Sequence, residues 1–214
     1  MLELGLKVLI SYLLGSVNGS LLLGRLRGVD IRTMGSGNAG GTNALRTQGK
    51  VFALMVMVID IGKGWLAAGW LPYVDLPGLA ADPLVDRHWL TLACAAAVVH
   101  GHCYPVWYRF QGGKGAATAI GALAGVAPVL LLPAASTWIL VLVLSGMVGL
   151  ATMLAAISLP VYLLLTGPAG DLPLLLFCIA LAAYVVFTHR SNIRRIRSGE
   201  ESRMERVMLL RRFR

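Results

Sequence analysis

Residues 35–50 read GSGNAGGTNALRTQGK, with glycines at 35, 37, 40 and 41 set among Ser36, Asn38, Thr42 and Asn43. Arg46 and Lys50 follow directly. Glycine lets backbone approach a ligand closely and adopt positive φ. Successive N–H groups in such a loop form an anion-binding concavity, and a helix starting beyond it adds its positive dipole end. Arg46 offers a forked cation matched to phosphate oxygens. Spacing alone leaves open whether this is an anion site or a flexible polar loop. Gly35-x-Gly37-x-x-Gly40 has the outline of a dinucleotide fingerprint, but no strand precedes it and no βαβ unit surrounds it, so that reading is rejected.

Two further polar segments interrupt the apolar sequence. In GHCYPVWYRFQGGKGAAT, residues 101–118, Gly112, Gly113 and Gly115 surround Lys114 just before a new apolar run. The glycine spacing is not that of a Walker A loop. His102 is either an interfacial histidine with its partners in place or a titratable group for chemistry. Trp107, Tyr108 and Phe110 suit membrane-interface anchors. In HRSNIRRIRSGEE, residues 189–201, His189 and Asn192 share a face if the helix continues. Arg190 and Arg195 point either to phosphate or to lipid headgroups. Asp60 and Lys63 lie one helical turn apart inside an apolar run. Charges in such a place pair with each other, and structural support behind a site is the expected role.

The elements that position these segments are membrane helices. Of 214 residues, 57% are hydrophobic and 14% charged, and mean hydropathy is +0.74, which is the composition of a membrane protein. About 20 apolar residues cross a ~30 Å hydrocarbon core. Apolar runs fall at about 2–23, 51–74, 88–106, 115–131, 133–148, 150–166 and 172–189. The expected fold is all-α and polytopic, with about seven transmembrane helices and five or six as alternatives. Pro128, Pro133, Gly146, Gly149 and Pro160 either end helices or kink them. All but Lys7, Lys63 and Arg87 of the 19 Lys and Arg lie in the segments after the first and third runs and in the tail. These segments are therefore expected on the cytoplasmic side, with the N-terminus outside and the C-terminus inside. An odd number of crossings follows. The start, MLELGLKVLISYLLG, reads as a retained first span.

One domain is expected over 1–214, with 190–214 as a basic cytoplasmic tail whose end suits an amphipathic surface helix. The net charge of +9 fits a cytoplasmic face, anionic lipid and anionic substrate better than nucleic acid. Cys94, Cys103 and Cys178 are scattered without metal or disulfide spacing. No metal or cofactor is expected.

Taken together, these residues resemble the bacterial acyl-phosphate:glycerol-3-phosphate acyltransferases of the PlsY type. The family's first motif has the form DIR…GSGNxGxTN, matched by Asp30-Ile31-Arg32 and Gly35–Asn43. Its second, GHxxPxxxxFxGGKGxAT, is matched throughout Gly101–Thr118. Its third, HRxNIxRLxxGxE, is matched at His189, Arg190, Asn192, Ile193, Arg195, Gly199 and Glu201, with Ile196 for Leu. Two departures stand out. Asn18 occupies a position where the family often has Pro, and Gly149 and Thr152 stand where it has serines.

The resemblance implies acyl transfer from acyl phosphate to the 1-hydroxyl of glycerol 3-phosphate, the first step of phospholipid synthesis. It implies a monomer in the bacterial inner membrane, working at the cytoplasmic face. Ser36, Arg46 and Lys114 would hold glycerol 3-phosphate. Gly35, Gly37, Asn38, Gly40, Thr42 and Asn43 would seat the acyl phosphate, with Gly112, Gly113, Arg195 and Thr152 as further contacts. His189 and Asn192 would orient the glycerol hydroxyls, and His102 is the remaining titratable candidate. Acyl phosphate is a mixed anhydride with a good leaving group, so no protein nucleophile is required. Either His189 or a substrate phosphate oxygen takes the hydroxyl proton. The alternative function is a transporter for an anionic phosphorylated solute, which usually shows internal repeats and polar groups at mid-membrane.

Overall fold

A computed structural model describes residues 1–78, 81–166 and 171–209. The chain forms two compact units, Met1–Pro128 and Val129–Arg214. Among the described residues the regular structure is helical. Three helices among the described residues, Lys50–Tyr73, Pro128–Ser145 and Val148–Thr166, are long and apolar enough to cross a membrane. The number rises to five if two bent pairs each count as one span.

The first unit contains α1 (Leu2–Ser16), α2 (Gly19–Leu26), α3 (Gly41–Gln48), α4 (Lys50–Trp65), α5 (Arg87–Cys103) and α6 (Ala116–Val126). A π-helical turn at Leu66–Trp70 and a 3-10 turn at Leu71–Tyr73 continue α4. Along α1 the buried residues are Glu3, Lys7, Ser11, Gly15 and Ser16, while Leu2, Leu6, Leu9 and Ile10 are exposed. The stripe has helical period, but its polarity is the reverse of a soluble helix. That is the pattern expected when lipid covers the outside and small or polar residues join helices.

α1 and α5 run side by side in the same direction. At one end Arg87 donates to Glu3 at 2.7 Å, and at the other the Tyr12 hydroxyl donates to the Tyr104 carbonyl at 2.9 Å. A methyl group on Gly15 would stand 2.2 Å from the Val98 carbonyl oxygen, so only glycine permits this approach. α4 and α6 are also parallel: Gly121 packs on Ile61 and Gly125 on Gly69.

The second unit contains α7 (Leu131–Ser145), α8 (Val148–Thr166), α9 (Leu172–Thr188) and α10 (Arg190–Arg197). α7 and α8 form an antiparallel hairpin closed at Gly146, with Trp138 Nε1 donating to Thr152 Oγ1 at 3.3 Å and Ser158 reaching the Pro133 carbonyl at 3.4 Å.

Several expected boundaries move. The run 2–23 is broken between α1 and α2, which meet at 47°. The runs 115–131 and 133–148 divide at Ala127 instead, because Pro133 falls in the first turn of α7, where N–H groups have no intrahelical partner. The tail is not an amphipathic helix over its described part. After Gly199 it runs without α-helix to a short 3-10 turn at Glu205–Val207, and Met204 N–H donates to the Gly146 carbonyl at 2.8 Å. Residues 210–214 of that expected helix lie outside the described residues.

Candidate functional site

The break in the first span explains the charges inside the second. Between α1 and α2 the ladder is interrupted at Val17 and Asn18, leaving carbonyls at one end and N–H groups at the other unpartnered. Lys63 Nζ donates to the carbonyls of Gly15 and Val17 at 2.9 and 2.8 Å. Asp60 Oδ1 accepts from Gly19 N–H at 3.0 Å. The pair itself closes at 2.9 Å, with both side chains buried. Each charge also faces the helix end whose dipole favours it. Asn18 finishes the junction: its Oδ1 caps α2 through Leu21 N–H at 3.1 Å, and its Nδ2 donates to the Ala39 carbonyl at 3.2 Å. Sequence reasoning noted Asn18 only as a missing proline. An Asn three residues before a run of leucines was a readable N-cap signal.

From that junction the chain reaches the first glycine loop. Asp30 and Arg32 form a two-bonded fork, with Nε–Oδ1 at 3.0 Å and Nη2–Oδ2 at 2.7 Å. The guanidinium holds the Asp30 carboxyl below the usual carboxylate range, against the opposing effect of partial burial. Arg32 Nη1 also donates to the carbonyls of Tyr108 and Gln111, each at 3.3 Å, which ties the first motif to the second.

Asn43 has a different task from the one expected of it. Its Oδ1 accepts from Ser36 N–H at 2.9 Å, and its Nδ2 donates to the Ile31 and Met34 carbonyls at 3.1 and 2.9 Å. It is 1% exposed, so its amide is consumed in shaping the loop and not in meeting solvent. Gly35 takes φ +55° beside it, and a methyl there would lie 2.3 Å from Asn43 Oδ1. Ser36 and Gly37 are exposed on the loop, while Asn38, Gly40 and Thr42 are half-buried at the start of α3. Arg46 is exposed on α3.

The second loop sits against the first. The Gly112 and Gly113 N–H groups donate to the Cys103 and His102 carbonyls at 3.0 and 3.1 Å. A methyl on Gly113 would be 2.2 Å from His102 Nε2 and 2.6 Å from the Ala39 carbonyl oxygen. The two glycine loops therefore interlock over the His102 ring. That ring is 2% exposed, and its Nδ1 lies 3.0 Å from Lys63 Nζ and 3.4 Å from Asp60 Oδ1. His102 is thus walled in behind the loops, joined to the same ion pair that holds the span break. Lys114 is half-buried between Gly113 and Gly115, the latter at φ +86° directly before α6.

In the second unit, α9 passes into α10 at His189 with a 56° bend. His189 Nδ1 lies 2.8 Å from the Val185 carbonyl oxygen and therefore carries the hydrogen there. α10 ends in a Schellman turn at Gly199, with Glu200 N–H donating to the Arg195 carbonyl at 2.8 Å. The turn brings Glu201 back to accept from Asn192 Nδ2 at 2.6 Å and Arg195 Nε at 2.7 Å. Asn192 in turn lies on Gly149, where a methyl would stand 2.4 Å from its Nδ2. Thr152 does not point its hydroxyl at solvent: it donates to the Val148 carbonyl at 2.9 Å and accepts from Trp138. Among the described residues no cluster of His, Cys, Asp and Glu suited to a metal occurs.

Residues 5–199 match the profile of the glycerol-3-phosphate acyltransferase family. A curated glycerol-3-phosphate acyltransferase of Chlorobium phaeobacteroides is 38% identical over 221 residues, covering 92% of this chain and 94% of that one. One of Burkholderia cenocepacia is 38% identical over 205 residues, covering 95% and 92%. Among solved structures, the glycerol 3-phosphate form of PlsY (YgiH), an integral membrane glycerol 3-phosphate acyltransferase, aligns with TM-score 0.79 at 32% identity over 94% of this chain and 95% of that one. Its lysophosphatidic acid form aligns with TM-score 0.76, also at 32% identity, over 94% of each chain. The profile match runs through both units and takes in the first two polar segments and the third as far as Gly199, and on these grounds the chain belongs to the glycerol-3-phosphate acyltransferase family.

Proposed function

We propose that the chain transfers a fatty acyl group from acyl phosphate to the 1-hydroxyl of glycerol 3-phosphate, releasing lysophosphatidate and inorganic phosphate. The observation that carries this reading is the interlock of two glycine loops around Gly113, Ala39 and His102. The interlock spends the Gly112 and Gly113 N–H groups on carbonyls and thereby fixes the backbone that leads into α3. The first turn of α3 has no side-chain cap and leaves its N–H groups to an anion. Fixed donors of this kind stabilise charge developing on an oxyanion. Ser36, Arg46 and Lys114 hold the phosphate of glycerol 3-phosphate. Gly35, Gly37, Gly40, Asn38 and Thr42 seat the acyl phosphate. Asn43, Gly112, Gly113 and His102 position that backbone from behind. In the second unit His189 and Asn192 orient the acceptor hydroxyls, Arg195 and Glu201 hold Asn192 in place, and Thr152 braces α8 on α7.

Acyl transfer from a mixed anhydride breaks the bond between the acyl carbon and the phosphate oxygen as the glycerol oxygen attacks. The hydroxyl proton has two candidate acceptors, the Nε2 of a neutral His189 and a phosphate oxygen of the donor. Loss of rate in His189→Ala with disappearance of the acidic limb of the pH profile identifies the histidine. An unchanged profile with modest rate loss identifies the phosphate.

The chain is read as a single acyltransferase domain over 1–214, acting as a monomer in the bacterial inner membrane with its chemistry at the cytoplasmic face. Seven crossings are retained, with the N-terminus outside. The parallel pairs α1–α5 and α4–α6 support alternating crossings in the first unit. α6 spans only about 16 Å by itself, less than a ~30 Å hydrocarbon core, so on this reading the segments flanking it complete that crossing. The deciding assay gives purified protein labelled glycerol 3-phosphate with acyl phosphate or acyl-CoA. Lipid product is expected from acyl phosphate. Product from acyl-CoA alone overturns the donor, and no product together with solute flux in liposomes favours a transporter.

A further inference from the structure

Outside both glycine loops, the first unit opens into a cleft of about 330 Å³. Leu21 and Val29 line it together with Trp107 and Tyr108, and Arg25 and Arg32 supply its charge. The arginines of this turn are not equivalent. The Arg27 guanidinium lies over the Phe52 ring, 4.8 Å from its centre. Arg32 is engaged by Asp30 and two carbonyls. Arg25 is exposed and makes no hydrogen bond or ion pair among the described residues. Burial raises the Tyr108 hydroxyl, and Arg25 and Arg32 act against that rise, so both cations stand within electrostatic reach of the phenol. Trp107 is 60% exposed, as an aromatic at the headgroup level would be.

A small polyanion needs several converging donors, whereas this cleft offers one uncommitted cation beside apolar and aromatic walls. That mixture suits an anion attached to an apolar body. We propose that the cleft binds the phosphate of an anionic membrane phospholipid, with Arg25 on the phosphate and the lipid's glycerol and upper chain against Leu21, Val29 and Trp107. None of these four residues has a role in the acyl transfer proposed above, and lipid binding stands whether or not that chemistry is correct.

Native mass spectrometry of the purified full chain, titrated with phosphatidylglycerol, phosphatidylcholine or glycerol 3-phosphate, tests this. Wild-type protein is expected to retain one phosphatidylglycerol in preference to phosphatidylcholine. Loss of a charge-assisted contact in Arg25→Gln should weaken that retention roughly tenfold, and Arg25→Lys should restore part of it. Trp107→Asp, which changes the aromatic lining, should lose the lipid too. Arg206→Gln, removing an exposed tail cation, should leave it unchanged. Equal retention in wild type and Arg25→Gln overturns the proposal. So does weakened glycerol 3-phosphate binding with intact lipid binding, which would make the cleft a site for the free phosphate ester.

Discussion

Polar segments in the two units are secured in opposite ways. In the first unit the support comes from far along the chain: Asp60 and Lys63 on α4 hold the α1–α2 junction, and His102 on α5 joins them beneath the glycine loops. In the second unit the support is local. The Gly199 turn returns Glu201 to Asn192 and Arg195, only nine and six residues away. The difference follows from surroundings. A helix broken within the apolar layer has no water to satisfy its ends, so charged side chains must be brought to them. A helix ending near the surface can be closed by its own glycine and one carboxylate. Buried ions therefore serve the first unit's architecture, while the second unit needs only a clasp.

The comparison is most exposed to loss of Lys63. Lys63→Met strands the Asp60 charge and two carbonyls, and breaking a buried pair costs roughly 3–5 kcal/mol. Thermal unfolding in detergent should drop sharply, with activity falling in parallel. A variant as stable as wild type would break the comparison. Next comes Gly113→Ala. Its methyl meets the Ala39 backbone carbonyl as well as His102, so the loops must part, and a misplacement on the order of 1 Å costs about a hundredfold in rate. Steady-state kinetics should show this with little change in melting temperature. The smallest effect belongs to Glu201→Gln. Arg195 is 30% exposed in that ion pair, and such pairs contribute no more than about 1 kcal/mol. Stability should barely move while the KM for glycerol 3-phosphate rises severalfold, because the neutral amide gives up the ion pair with Arg195. Its carbonyl can still accept from Asn192 but is no longer held in place. A stability loss matching that of Lys63→Met would show that the local clasp is structural after all.

Much of this was legible in the residues. The three polar motifs and the all-helical fold were visible in spacing and hydropathy, and the Asp60–Lys63 pair in its one-turn separation. The break at Val17–Asn18 was not, because its cause lies more than forty residues away in sequence. An apolar run cannot disclose that its ladder is interrupted by side chains of another helix. Asn43 was read as a ligand contact because an amide in a glycine loop suits either task. Only the three partners of its side chain decide between them. The tail was read as a basic amphipathic helix, whereas past the Gly199 turn at φ +77° its described residues form only a 3-10 turn, tied to the Gly146 carbonyl through Met204 N–H.

The inward stripe of α1 bears on how the protein is made. Glu3, bonded to Lys7 at 2.8 Å and to Arg87, also accepts from Asp82 N–H, and Lys7 donates to the Pro72 carbonyl. Both charges lie in the first two turns of α1, and an ionised residue in an inserting helix costs up to the roughly 2.5–3.5 kcal/mol that applies at its centre. α1 thus leaves the ribosome carrying two charges whose remaining partners, at Pro72, Asp82 and Arg87, are translated 65 to 84 residues later. Its residence in the bilayer depends on segments not yet synthesised, so stable insertion of α1 must await the start of α5.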